Sequence, residues 1–228
     1  MSKRVSPESA LLMLHWQNSV CDPKGVWGKN LCSQIEKNNA IKNAQKVLAI
    51  ARSRGMLTIF VNIGWRPGFP EMPENQYYPL LQGAKDTNKG IIGTWDVEVI
   101  DALKPDKNEL IVINYGSDSF EGTDLDRILR AGNIGHLFVS GQCIEHVVAT
   151  TIKRAANIWY NAILIKDATS GFTDSNYKAM LDILPLYSKI ITADEFTLDA
   201  PYGVIARSEA AQQGRDSFTG RVAWLRSP

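Results

Sequence analysis

The chain has 228 residues, and Lys+Arg 25 against Asp+Glu 24 leaves a net charge of +1. That balance gives no field to gather nucleic acid or an acidic membrane surface. A hydrophobic content of 44% with 21% charged residues is that of an ordinary globular chain, long enough to bury one large core.

No apolar run approaches the ~20 residues that span a bilayer. The start, Met1-Ser-Lys-Arg-Val-Ser-Pro-Glu8, lacks the layout of a secretory signal, so a cytoplasmic location with no membrane partner is expected. The simplest organisation is a single domain over residues 1–228, with a C-terminal extension of mixed character from about 201.

Runs of Val, Ile, Leu and Phe alternate with helical stretches, the pattern of a sheet with helices on both faces. Strands are predicted at Ala10–Leu14, Leu57–Asn62, Leu110–Ile113, His136–Ser140, Ala162–Lys166 and Lys189–Thr192, most as near-continuous apolar runs buried on two sides. A long helix is predicted from Ser33 to Arg54, ending at Gly55, on the helical spacing of Ile35, Ile41, Ala44, Val47 and Leu48. Further helices are expected at Asp96–Leu103, Thr123–Ala131, Ile144–Asn157 and Asp174–Leu184, the last followed by Pro185. The stretch Gly64 to Gly93 has no clear periodicity and reads as a lid or binding loop. The fold expected is a three-layer α/β/α sandwich around a mostly parallel, Rossmann-like sheet of six strands.

Three cysteines, Cys21, Cys32 and Cys143, form no Cys-x-x-Cys spacing, and His15, His136 and His146 form no metal-binding spacing. Neither a metal nor another cofactor is expected.

Three segments carry a family resemblance. The first strand runs into His15-Trp-Gln-Asn18. The segment Ile111-Val-Ile-Asn-Tyr-Gly-Ser-Asp-Ser-Phe-Glu-Gly-Thr-Asp-Leu125 follows the third strand, and Gly141-Gln-Cys-Ile-Glu-His-Val147 follows the fourth. From Ala10 to Phe196 the chain resembles the isochorismatase-like cysteine hydrolases, whose signatures have Asp-Met-Gln-Asn, a lysine before Ser-x-Phe-x-Gly-Thr-Asp-Leu, and Gly-x-x-Thr-Glu-x-Cys. The resemblance implies a parallel α/β fold, dimers or tetramers, and an Asp-Lys-Cys triad whose thiolate attacks a small amide or related carbonyl. At the three triad positions this chain has His15, Asn114 and Val147. Val147 offers no lone pair, which excludes the covalent route there. Some relatives bind a metal after the second strand, but Asn62-Ile-Gly-Trp-Arg-Pro-Gly68 supplies no such ligands.

His15 can act as acid or base near neutral pH, or fill the old aspartate's space as a neutral hydrogen-bonded group. Asn114 can hold a ligand carbonyl or cap a strand end. Cys143 is either a displaced nucleophile or a free buried thiol. The resemblance puts a cis peptide between Gln142 and Cys143, in a turn that aims backbone N–H groups at a developing oxyanion. Gln17, Trp65, Arg66, Phe120, Gln142 and Val147 are candidates for the pocket wall, with Trp16 and Trp95 nearby; the aromatics serve equally as core or subunit interface. Thr123 or Asp124 is expected to cap a helix, and Asp167 to order a loop near the site mouth. Two functions remain open: an atypical, cysteine-independent hydrolase or lyase for a small planar amide, imine or enol ether, and a pseudoenzyme that binds a small molecule or serves as an oligomeric scaffold.

Overall fold

The computed structural model describes residues 9–75 and 77–196. The extension expected from about 201 lies outside the described residues. Six strands form one sheet: β1 Ser9–Leu14, β2 Leu57–Ile63, β3 Leu110–Asn114, β4 His136–Gln142, β5 Asn161–Ser170 and β6 Ser188–Ile191. Their spatial order is β3-β2-β1-β4-β5-β6, and every pairing is parallel. The expectation of a mostly parallel sheet is thus sharpened to a fully parallel one.

The helices are α1 Asn18–Cys21, α2 Gly28–Lys37, α3 Ala40–Ser53, α4 Pro79–Asp86, α5 Leu125–Ala131, α6 Ala149–Asn157 and α7 Asp174–Ile183. Side chains alternate along a strand between the two sheet faces. One set, including Leu12, Leu14, Val61, Val139 and Leu164, packs with Leu125 and Leu129 of α5 and Ile152 and Ala155 of α6. The alternate set, including Leu11, Met13, Phe60 and Phe138, is equally buried, and α3 packs against β2 and β5. Burial on both sides is why these strands are apolar throughout. No helix among the described residues is long and apolar enough to cross a membrane.

Four local expectations change. The helix predicted from Ser33 to Arg54 is two helices, α2 and α3, broken where Asn39 adopts a left-handed φ of 50°; asparagine tolerates that region better than most residues. The helix predicted over Asp96–Leu103 is two short 3-10 turns, Trp95–Val97 and Asp101–Leu103. Between them the backbone is extended, and it bonds to the segment that leads from β1 into α1 through Asn18 N–H to Glu98 O (3.0 Å) and Ile100 N–H to Trp16 O (3.0 Å). The expected loop Gly64–Gly93 contains α4, opened by Pro79 at its first turn, where the missing N–H costs nothing. β5 runs on to Ser170 because the β4–β5 register shifts between Val139 and Gly141, and Thr169 and Ser170 rejoin the ladder beyond the interruption at Lys166-Asp167.

Candidate functional site

The strand order reverses between β1 and β4, the place where open parallel sheets form a crevice beyond their carboxyl ends. There Leu14 pairs with Gly141. A Cβ at Gly141 would lie 2.5 Å from Leu14 O, so only glycine lets the two strands meet at the seam. Just past the seam, His15 sits at a left-handed φ of 51°, pinned by its own N–H to Val61 O at 2.7 Å. On the other side the chain passes through a cis peptide between Gln142 and Cys143.

His15 and Asn114, 99 residues apart in sequence, meet here. His15 Nε2 lies 3.0 Å from Asn114 Oδ1, and both residues are buried. The Asn114 Nδ2 group donates to Gly116 O (2.8 Å) and Asp118 O (3.3 Å). Those two carbonyls fix the amide's orientation, so its oxygen is an acceptor facing the ring and His15 Nε2 must carry the hydrogen. Burial, with a lesser contribution from the field of His146, lowers the His15 pKa from 6.5 to about 4, against the opposing pull of the Asn114 bond. The ring is therefore neutral at pH 7, and Nδ1 holds its lone pair with no partner among the described residues.

His15 opens onto a small pocket of about 30 Å³, lined also by Val20 of α1, Trp27, Leu31 of α2, Ile63 of β2, Leu80 and Leu81 of α4, Ser117, Gln142, Cys143, His146 and Phe172. Tyr78 and Ser117 share a hydroxyl contact, and the Trp27 indole N–H donates to Leu80 O at 3.0 Å, which ties α4 to the pocket wall. Among the described residues no Lys, Arg, Asp or Glu lines the pocket.

The β4 side differs from the β1 side. Gln142 Oε1 accepts from the Ser170 hydroxyl, while its Nε2 is buried with no acceptor among the described residues. Glu145 Oε1 accepts from Phe172 N–H (2.8 Å) and Asn176 Nδ2 (3.0 Å), and its Oε2 is buried without an N–H or O–H donor among the described residues. Burial first, then the neighbouring Glu145 carboxylate, pushes the Cys143 thiol up. A protonated thiol is a poor nucleophile. His146, half-buried, rests edge-on against Phe172 with centroids 5.7 Å apart. Desolvation lowers its pKa and Glu145 opposes that effect.

Of the residues read from sequence, the structure brings His15, Gln142 and Cys143 to the pocket and sets Asn114 directly behind His15. Five candidate wall residues lie elsewhere. Gln17 is fully engaged within the fold: its Nε2 donates to Ser19 Oγ (2.8 Å) and Ile63 O (2.9 Å), and its Oε1 accepts from Ile63 N–H (2.6 Å). Trp65 is buried behind Trp27, donates to Tyr115 O at 3.2 Å and packs on Phe69. Arg66 points outward and pairs with Glu71. Phe120 stacks on Tyr160 in the core, and Val147 is sealed in the same cluster. Trp16 is buried with its N–H on Ser140 Oγ at 3.2 Å, and Trp95 is exposed. Thr123 Oγ1 accepts from Leu125 N–H (3.2 Å) at the start of α5, whereas the Asp124 side chain makes no cap. Asp167 Oδ1 accepts from Ala193 N–H at 2.7 Å.

The sequence reading missed the pocket roles of Val20, Trp27, Leu31, Ile63, Leu80, Leu81, Ser117, His146 and Phe172. His146 alone carried a signal, because it lies within the third signature segment, Gly141–Val147, at the end of the fourth strand. Among the described residues no group of three His, Cys, Asp or Glu is placed to hold a metal ion.

Comparison with known proteins agrees with this architecture. The chain is similar to the ureidoacrylate amidohydrolase RutB of Variovorax paradoxus, 25% identical over 201 residues, which span 83% of this chain and 80% of the relative. The fold is shared with a cysteine hydrolase from Pseudomonas syringae pv. phaseolicola (TM-score 0.72, 23% identity, 86% of this chain and 96% of that one). It is shared also with the N-carbamoylsarcosine amidase of Thermoplasma acidophilum (TM-score 0.65, 23% identity, 82% and 97%). The Isochorismatase domain matches residues 9–195, and the chain belongs to that family of hydrolases.

Proposed function

We propose that the chain is a cysteine-independent hydrolase or lyase for a small, uncharged planar amide, imine or enol ether, with neutral His15 as general base. The observation that carries this reading is the His15–Asn114 contact. An amide held by two backbone carbonyls accepts from Nε2 and leaves Nδ1 as the basic nitrogen. A base oriented by a third group is the arrangement that activates nucleophiles in unrelated hydrolases.

On an amide, Nδ1 takes a proton from water and the resulting hydroxide adds to the carbonyl carbon. The unpartnered Gln142 Nε2 donates to the developing oxyanion, the C–N bond breaks, and the amine leaves with the proton that Nδ1 took from water. The sum is amide plus water giving acid plus amine. Trp27, Phe172 and Leu31 supply apolar surface for a planar body, and among the described residues the lack of a lining Lys or Arg favours a ligand without a carboxylate. Cys143 serves here as pocket wall, since its thiol is held protonated.

A second reading, a pocket that binds without turnover, is favoured by Val147 lying sealed in the core where the motif resemblance puts the family's nucleophile. A mass-spectrometric screen of small amides, cyclic imides and vinyl ethers separates the two. Turnover that falls by ~10²-fold or more in His15→Ala, with ligand binding kept, supports the enzyme. Ligand binding by the natural chain without turnover of any member supports the binder.

A further inference from the structure

Asn114 does more than hold His15. Its Nδ2 group donates to Gly116 O (2.8 Å) and Asp118 O (3.3 Å), the carbonyls on either side of Ser117, while its Oδ1 faces His15 Nε2 at 3.0 Å. One buried amide therefore fixes both the His15 ring and the loop that carries Ser117. The far end of that loop is fixed as well. Asp118 Oδ1 accepts from Phe120 N–H at 2.8 Å, and the buried Ser119 hydroxyl bonds to Thr151 Oγ1 at 2.7 Å. Ser117 lies between these anchors, among the residues that line the pocket.

The Ser117 hydroxyl meets the hydroxyl of Tyr78, the residue before α4, and neither has another hydrogen-bond partner among the described residues. Two hydroxyls bonded to each other use one hydrogen and leave the other. A phenol is more acidic than an alcohol and is the better donor, so Tyr78 O–H donates to Ser117 Oγ and Ser117 keeps the second hydrogen. A hydroxyl that accepts one bond is polarised and donates the next more strongly. Among the described residues lining the pocket, Ser117 is the single hydroxyl, and Gln142 Nε2 is a second donor without an acceptor. These two donors come from different sides of His15. Ser117 follows β3 and Gln142 ends β4, and β1, which leads into His15, lies between those strands in the sheet.

We propose that Ser117 is a substrate-binding residue whose hydroxyl donates to a second carbonyl oxygen, across the substrate from the one that Gln142 takes. Tyr78 is its positioning residue, which turns the Ser117 hydrogen into the pocket. This rests on the reading of Gln142 as donor to the reacting carbonyl of a small uncharged planar compound. A substrate that satisfies both donors has two carbonyl oxygens, and a cyclic imide has that form, planar and uncharged, with both carbonyls flanking one nitrogen. Water adds to the carbonyl held by Gln142, the C–N bond breaks, and the nitrogen keeps the electron pair and takes a proton. Imide plus water thus gives one molecule with a carboxylic acid and an amide, and the amide carbonyl stays on Ser117.

The test compares two rings of equal size, succinimide with two carbonyls and 2-pyrrolidinone with one, by NMR titration of the natural chain, Ser117→Ala and Tyr78→Phe. A neutral hydrogen bond changes affinity by about 3- to 10-fold. The natural chain should bind succinimide more tightly by that factor, and Ser117→Ala should bring the two rings level. Tyr78→Phe, which keeps the packing of the ring, should fall between. A natural chain that binds neither ring, or both equally, overturns the proposal. So does a preference unmoved in Ser117→Ala, or a loss there that falls equally on both rings. Because the readout is binding, the preference without ring opening keeps Ser117 and removes the reaction, whereas turnover without the preference keeps the reaction and removes Ser117.

Discussion

The two banks of the crevice differ in how the polar groups nearest His15 and Cys143 are held. On the β1–β3 bank the amides of Gln17 and Asn114 are engaged: Gln17 bonds to Ser19, Ile63 and Asp96, and Asn114 bonds to His15, Gly116 and Asp118, while Asn62 Oδ1 of β2 is buried with no partner among the described residues. On the β4–β5 bank Gln142 Nε2 and Glu145 Oε2 are buried with those partners missing among the described residues. A buried polar group without a partner costs about 1–3 kcal/mol, so such groups are retained where something other than stability uses them. The Asn114 amide holds His15 in place, and on the proposed function the Gln142 amide is left for a ligand.

Lowering the pH should expose the strain of the engaged bank most strongly. His15 has a folded-state pKa of about 4 against an ordinary 6.5, so between those values the unfolded chain binds more protons than the folded one. The stability it contributes is complete above about 6.5 and is lost as pH falls through 4, by up to about 3 kcal/mol. Urea denaturation at pH 7 and pH 4, for the natural chain and His15→Gln, measures that difference, which the substitution should shrink.

A smaller effect distinguishes the banks by substitution. Asn114→Ala removes an acceptor from His15 and a donor from two carbonyls, and should cost about 1–3 kcal/mol. Gln142→Leu removes one bond to Ser170 and one orphan, and should change stability by less than about 1 kcal/mol while weakening ligand binding ~10-fold. Equal costs at the two positions would erase the contrast. Least of all, Arg66→Ala breaks only an exposed pair with Glu71, and should cost under about 1 kcal/mol with ligand affinity unchanged. Thermal melts and ligand titration check both.

The sheet was legible because burial on two faces demands unbroken apolar runs, and all six strands fall where those runs lie. Their ends were harder to read. Lys166-Asp167 interrupts the apolar run in β5, and the strand resumes only because its register shifts against β4. α4 was hidden among prolines and glycines, and the break at Asn38-Asn39 was hidden by apolar spacing that continues across it.

In the site, the residues at strand ends were readable, because the fold fixes where a strand ends. His15, Asn114, Gln142 and Cys143 fall in or directly behind the pocket for that reason. Residues on connecting segments were not readable. Trp27 and Trp65 look alike in sequence, yet one lines the pocket and the other packs behind it, a difference set by how loops from α2 and α4 meet. Polarity alone also misled at Gln17, whose amide is fully engaged inside the fold.

With three histidines in the chain, the ring nitrogens of His15 can be observed directly by ¹⁵N NMR on labelled protein, assigned with His15→Gln. The account predicts a neutral ring at pH 7 with the hydrogen on Nε2, titrating near pH 4. A ring with its hydrogen on Nδ1, or an imidazolium at pH 7, would contradict it.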